Sequence, residues 1–313
     1  MRRGMRRHSF AIWCRWMSVT TLTILVFGSG LSSVQGGSFE FHNLCSFKVW
    51  IGSQSGAGQQ LLPAASVALN AGDSTSVSTP SGWSGRYWGR TGCQFDSTGK
   101  GSCFTGDCGG TLQCMGTGGN PPATLAEFTL NGANGKDFYD VSLVDGYNVP
   151  ISVVPVRSAS SSTDSVSSNS STPSCGVAGC VGDLNKNCPS ELQVKRPDGK
   201  VIACKSACEA FGTAQSCCTG AYASSATCPP TSLSQTFKAA CPHAYSYAYD
   251  DASSLYTCTG GSYAITFCPE ASSTSHATSL RILGHSIQNI QLLLLSFMIV
   301  ILALDMHAHG TIL

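Results

Sequence analysis

From Phe39 to Ile51 apolar and polar residues alternate. Phe39, Phe41, Cys45, Phe47, Val49 and Ile51 share one parity, while Glu40, His42, Ser46 and Lys48 take the other. Period two marks a strand with one face buried and one in water, so the pattern predicts one half-buried strand over this stretch. It recurs at Ala126, Phe128 and Leu130, from Val149 to Val156, and at Tyr263, Ile265 and Phe267. Asn131-Gly132, Asn134-Gly135 and Asp145-Gly146 supply turn signals between such runs. Short strands punctuated by turns predict an all-β sandwich. Only Ala203 to Phe211 and Ser232 to Ala240 suggest helices, both short.

The two ends break this pattern. Residues 1 to 36 combine a basic start (Arg2, Arg3, Arg6, Arg7), an apolar stretch through Leu22, Ile24, Leu25, Val26 and Phe27, and a small-residue exit at Gly36. That order predicts a secretory signal peptide, with an uncleaved anchor as the alternative. At the other end, residues 271 to 313 begin with small residues (Ala271, Ser272, Ser273) and a polar spacer. An apolar run from Ile290 to Leu304 follows. Its 15 residues fall short of the roughly 20 a membrane helix needs. The layout predicts a GPI-attachment signal, and attachment to a membrane through that lipid or through the apolar tail itself. Arg281 and the polar end after Leu304 fit it less well.

Between the ends, composition divides the chain. Residues 37 to 157 and 242 to 270 carry the strand patterns and are expected to form the sandwich. Residues 158 to 174 are a serine-rich surface loop holding the sequon Asn169-Ser170-Ser171, a candidate glycan site. Residues 175 to 241 are rich in cysteine and are expected to form a second lobe.

Seventeen cysteines in 313 residues set the redox compartment. Cys14 leaves with the leader, and an even sixteen behind a signal peptide read as a disulfide framework. Spacing alone does not say which cysteine joins which. Metal is the weaker reading, because His42 and His243 are the only histidines between Gly37 and Glu270 and no His-Glu-x-x-His occurs. That same span has 12 Lys or Arg against 16 Asp or Glu, a net charge of −4, which disfavours nucleic-acid binding. No phosphate-binding loop, dinucleotide fingerprint or Gly-x-Ser-x-Gly elbow appears, and no cofactor is expected.

One stretch is specific. Gly99 to Cys114, containing Cys103-Phe104-Thr105-Gly106-Asp107-Cys108-Gly109-Gly110, resembles the signature of the thaumatin-like protein family. Trp88-Gly89-Arg90-Thr91-Gly92-Cys93, Pro121 to Phe128, Asp137 to Asn148 and Ala244 to Asp251 resemble further family blocks in family order, so the likeness covers about Ser38 to Pro269. His243, the long serine-rich loop and the apolar tail depart from common family forms. The resemblance implies a mainly β fold: a flattened sandwich, a disulfide-rich second lobe, a small third disulfide lobe near residues 93 to 122 and an acidic cleft between the first two. It implies bridges Cys45 to Cys268, Cys93 to Cys103, Cys108 to Cys114, Cys175 to Cys258, Cys180 to Cys241, Cys188 to Cys204, Cys208 to Cys217 and Cys218 to Cys228.

The resemblance also maps the family's cleft onto Arg86, Glu127, Asp140, Asp145 and Asp250, with Asp251 adjacent to the last. It implies a secreted or cell-surface, pathogenesis-related defence protein, antifungal and monomeric, that binds β-1,3-glucan or another wall polysaccharide. Crowded carboxylates hydrolyse a glycosidic bond when one keeps a proton and another acts as base or nucleophile. A weak endo-β-1,3-glucanase is therefore the second reading, using Glu127 as the acid with Asp140 or Asp145. The parity of Asp140 and Asp145 opposes it, since a regular strand would aim them at opposite faces unless the chain bends between Ser142 and Asp145. Tyr245, Tyr247, Tyr249 and Tyr256 either stack on sugar rings or cover the core. A third reading is an extracellular module that engages a protein partner.

Overall fold

The computed structural model describes residues 35–62, 67–156 and 175–270. The expected signal peptide up to residue 34, the serine-rich stretch with the expected glycan site Asn169, and the expected GPI signal from residue 271 lie outside the described residues. No helix among the described residues is long and apolar enough to cross a membrane.

Two sheets face each other. The first has five strands: β1 (Gln35–Asn43), β4 (Ser74–Pro80), β10 (Ile151–Pro155), β11 (Ala178–Cys180) and β15 (Tyr263–Phe267). Their order is β11-β10-β15-β1-β4, and the central pair, β1 with β15, is parallel. The second has six: β2 (Val49–Ser55), β3 (Ala68–Leu69), β5 (Ser84–Thr91), β8 (Leu125–Thr129), β9 (Asp137–Ser142) and β14 (Tyr256–Cys258), in the order β14-β9-β8-β5-β2-β3. Two small ladders complete the strands: β6 (Gln94–Phe95) with β7 (Gly101–Ser102), and β12 (Gln193–Lys195) with β13 (Val201–Cys204).

Alternation places the core between the sheets. Phe39, Phe41, Val77, Ile151, Val153 and Ile265 from the first sheet and Val49, Ile51, Tyr87, Phe128, Tyr139 and Val141 from the second are all buried. The Phe39 ring lies 5.1 Å from Tyr87 and 4.5 Å from Phe128, joining the two layers through aromatic contacts. Asp137, also buried, accepts from the Tyr263 hydroxyl at 2.7 Å, the Gly261 amide at 2.9 Å and the Asn131 amide at 2.8 Å. One carboxylate thereby ties the second sheet to the loop before β15.

Two expectations are corrected. The predicted strand Phe39 to Ile51 is two strands in different sheets, β1 and β2. The break comes at Asn43, whose side-chain amide donates to the carbonyls of Phe47 and Leu69 while its oxygen accepts from the Cys45 amide. That local bonding replaces the ladder and turns the chain across the sandwich. Phe47, which the alternation placed inside, is 45% exposed. The helix expected at Ala203 to Phe211 begins only at Ala207, as α1 (Ala207–Phe211), because Ser206 caps it by accepting from the Glu209 amide and Val201 to Cys204 pair as a strand. The other helices are α2 (Ser232–Ala240), which matches its predicted range and carries a Thr231/Ser234 capping box, and α3 (Asp251–Ser254).

Eight disulfides lock the fold. They join Cys45–Cys268, Cys93–Cys103, Cys108–Cys114, Cys175–Cys258, Cys180–Cys241, Cys188–Cys204, Cys208–Cys217 and Cys218–Cys228, the pairs that the resemblance implies. Cys45–Cys268 closes 223 residues and fastens the chain just beyond the parallel pair β1 and β15.

Candidate functional site

The outer face of the six-stranded sheet carries one polar row. In β8, Ala126, Phe128 and the following Leu130 turn inward and are buried, which leaves Glu127 and Thr129 on the opposite face, as the alternation predicts. Register then sets the neighbours: Gln54 lies opposite Arg86, Arg86 opposite Glu127, and Glu127 opposite Asp140. Four polar side chains on β2, β5, β8 and β9 thus cross the sheet in a line, about 4.8 Å from strand to strand. They open into a groove of about 480 Å³, lined also by Ser84, Phe138 and Leu255.

Asp145 reaches this row because the strand ends. β9 stops at Ser142, and the Gly146 amide donates to the Leu143 carbonyl at 2.9 Å, closing a turn. Gly146 sits at φ +84°, and a Cβ there would lie 2.6 Å from Pro122 Cβ and 2.9 Å from the Cys204 carbonyl oxygen. Only glycine fits that turn. The bend cancels the odd spacing from Asp140 and brings the Asp145 carboxylate to 3.9 Å from Arg86 Nη1, while Arg86 Nε stands 3.4 Å from Glu127. Arg86 therefore bridges two carboxylates, each partly open to water, and neither contact is a tight bidentate pair.

Asp140 is held differently. Its Oδ1 is buried and has no hydrogen-bond partner. Burial pushes its carboxyl well above the usual range, the Glu127 charge adds to the rise, Arg86 opposes it, and Asp251 adds a little more. Glu127 is also raised by burial, but Arg86 pulls it back, and Asp145 contributes a further small rise. Arg86 pairs with Glu127 and Asp145 and with no oxygen of Asp140, so the upward push on the Asp140 carboxyl is the less opposed of the two. A buried, unpartnered carboxyl with a raised pKa beside two arginine-paired carboxyls is the kind of set that acid–base work on an ether or acetal oxygen uses.

The family model described as "Thaumatin family" matches residues 43–269 of this chain. The chain belongs to the thaumatin family. Among similar proteins, "Pathogenesis-related thaumatin-like protein 3.5" of Cryptomeria japonica is 50% identical over 257 residues, covering 82% of this chain and 99% of its own. "Pathogenesis-related protein 5" of Arabidopsis thaliana is 50% identical over 252 residues, covering 80% and 98%. A Prunus avium protein named "Glucan endo-1,3-beta-glucosidase" is 46% identical over 251 residues, covering 80% and 96%.

In this thaumatin-family chain Arg86, Glu127, Asp140 and Asp145 converge, and Asp250 stands apart. Asp250 pairs with Lys238 Nζ at 2.9 Å and accepts from the amide and hydroxyl of Ser246 and from Ser253. Its oxygens are committed to holding the loop before α3. The neighbouring Asp251 is the one that acts on Asp140, and it accepts from the Tyr245 hydroxyl at 2.9 Å. Tyr245 exchanges backbone hydrogen bonds with β9 and the turn after it, donating to the Val141 carbonyl and accepting from the Leu143 amide. Tyr256 is buried in the core, whereas Tyr245, Tyr247 and Tyr249 are partly exposed. Gln54, Asp251 and Tyr245 are the site neighbours that sequence reasoning missed or left open. Cross-strand register places Gln54, and no periodicity in β2 reveals it.

Proposed function

We propose that the groove over Arg86, Glu127, Asp140 and Asp145 binds β-1,3-glucan, in a secreted defence-type protein of antifungal action held at the outer cell surface by a GPI lipid. The observation that carries the binding reading is the polar row itself. A partly exposed arginine and the carboxyl groups of Glu127 and Asp140 line one open groove, with Asp145 3.9 Å from that arginine, and they offer donors and acceptors to sugar hydroxyls along several strands. The naming of a 46% identical relative as a glucan endo-1,3-beta-glucosidase supports the linkage.

Hydrolysis is the second reading, and a specific feature favours it. Burial raises the Asp140 carboxyl beside the arginine-paired Glu127, so the acid would be Asp140 and the base or nucleophile Glu127 or Asp145. The test pairs a glucan pull-down with an assay of reducing ends released from soluble β-1,3-glucan, using the oxidised protein, Glu127→Gln and Asp140→Asn. Binding with no release makes the groove a lectin-like site. Release that both variants abolish while binding persists establishes the carboxyls as catalytic. Neither binding nor release from fully oxidised protein overturns the proposal in favour of a protein partner. Release of the protein from intact cells by a phosphatidylinositol-specific phospholipase C checks the lipid anchor, and retention after treatment refutes it.

A further inference from the structure

A second concavity, of about 610 Å³, lies apart from the carboxylate row and shares none of its residues. Phe47, Trp50, Phe104, Val149, Pro150 and Ile202 supply its apolar wall. The volume is in the range that encloses a drug-sized ligand. Phe47 and Phe104 are 45% and 55% exposed, a placement that costs hydration free energy in a protein with an ample core elsewhere.

These rings are held in place. Phe47 lies two residues from the Cys45–Cys268 bridge, Phe104 follows the Cys93–Cys103 bridge, and Ile202 lies two residues from Cys188–Cys204. Gly92, at φ +61°, makes room for the Phe104 ring: a Cβ there would lie 2.1 Å from Phe104 Cδ2. The Arg196 guanidinium sits over the same ring, 5.4 Å from its centroid. Three disulfides thus fix three separate segments around one apolar space, so a ligand would meet a wall already ordered.

Charge narrows the ligand. Arg196 is paired with Asp198, and Asp183 lies 3.5 Å from Lys186 Nζ. Lys48 and Lys200 line the same space, are exposed, and stand in no ion pair among the described residues. Lys48 Nζ lies 5.6 Å from the Trp50 ring centroid, so the positive charge and the aromatic face adjoin. A neutral glucan would leave both ammonium groups unanswered and set its hydroxyls against Val149, Pro150 and Ile202. We infer that this pocket binds a small aromatic carboxylate, its ring against Trp50 and Phe104 and its carboxylate facing Lys48 and Lys200.

The pocket carries its own reporter. Trp83 and Trp88 are fully buried, and Trp50 is the one tryptophan among the described residues with an exposed surface. The experiment titrates the oxidised protein, as secreted, with 3-phenylpropionate and with its neutral analogue 3-phenylpropanamide. Tryptophan fluorescence and calorimetry are the readouts, and Trp50→Phe assigns the signal. The acid is expected to saturate the Trp50 signal and to bind at least about fivefold tighter than the amide. The double variant Lys48→Glu/Lys200→Glu weakens the acid by on the order of tenfold while melting temperature and glucan binding stay unchanged. Phe104→Ala, on an exposed ring, weakens both compounds. No saturable binding of the acid, equal binding of acid and amide, or indifference to the charge reversal each overturns the inference. So does binding of an acidic aromatic peptide where the small acid fails, which would make the pocket a peptide site.

Discussion

Replacing Arg90 with Met removes the side chain that joins the small disulfide-linked loops to the sandwich. Arg90 is fully buried at the outer side of β5. Nη1 donates to the Thr111 carbonyl at 3.0 Å, and Nη2 donates to the carbonyls of Leu112 at 2.8 Å and Ile51 at 3.3 Å. The guanidinium also lies 5.6 Å from the Phe95 ring centroid. Burial lowers its pKa to about 10, with Asp107 opposing, so it stays charged at neutral pH. Methionine fills much of the same space and donates nothing. A buried acceptor left without its donor costs about 1 to 3 kcal/mol, and Thr111 and Leu112 are the carbonyls most dependent on Arg90. Relief from burying a cation offsets part of that loss, which leaves a net destabilisation of about 2 to 4 kcal/mol. For a body of this size each kcal/mol moves Tm by about 2 to 4 °C, so the fall lies between about 4 and 16 °C. Calorimetry of the oxidised protein measures it, and limited proteolysis between residues 93 and 122 shows whether those loops open first. A Tm within about 2 °C of the parent, with unchanged cleavage, would refute the reasoning.

Asp140→Asn tests the site through pH. A carboxyl raised in the folded state makes the parent lose stability as pH climbs from the unfolded value, about 3.9, through the folded one. The variant therefore has the higher guanidinium midpoint at pH 7 and loses that advantage by pH 4; a lower midpoint at pH 7 would contradict the buried, unpartnered carboxyl. Asp137→Ala strips three donors of their acceptor and is expected to lower stability by about 2 to 4 kcal/mol, read as a shift in denaturant midpoint. Cys45→Ser with Cys268→Ser opens the 223-residue closure, and loop-closure entropy puts the loss at about 5.4 kcal/mol, visible as a lower Tm under oxidising conditions. Gly146→Ala meets Pro122 and Cys204 and breaks the turn that presents Asp145. It should weaken glucan binding together with stability, and full binding by this variant would remove Asp145 from the site.

By itself the sequence determined the strand class and the faces of individual strands. Period two in β8 is a local property, set by where Ala126, Phe128 and Leu130 point, so Glu127 was placed outward before any partner was known. The cap that starts α2 is local in the same sense, with its donors and acceptors within four residues. Which cysteines pair was legible only through resemblance, because spacing carries no information on contacts across 223 residues. Tertiary structure decided the rest. Asn43 redirects the chain by bonding to Leu69 and Asn70, 26 and 27 residues away, which no alternation from Phe39 to Ile51 encodes. Asp250 and Asp251 are equivalent in sequence and are separated by Lys238, which claims the first from a different helix. The row from Gln54 to Asp140 exists only as register among four strands, and the raised pKa of Asp140 depends on the depth of burial that their packing creates. Side-chain direction is written in neighbouring residues, whereas charge state and convergence are written in contacts between residues far apart in the chain.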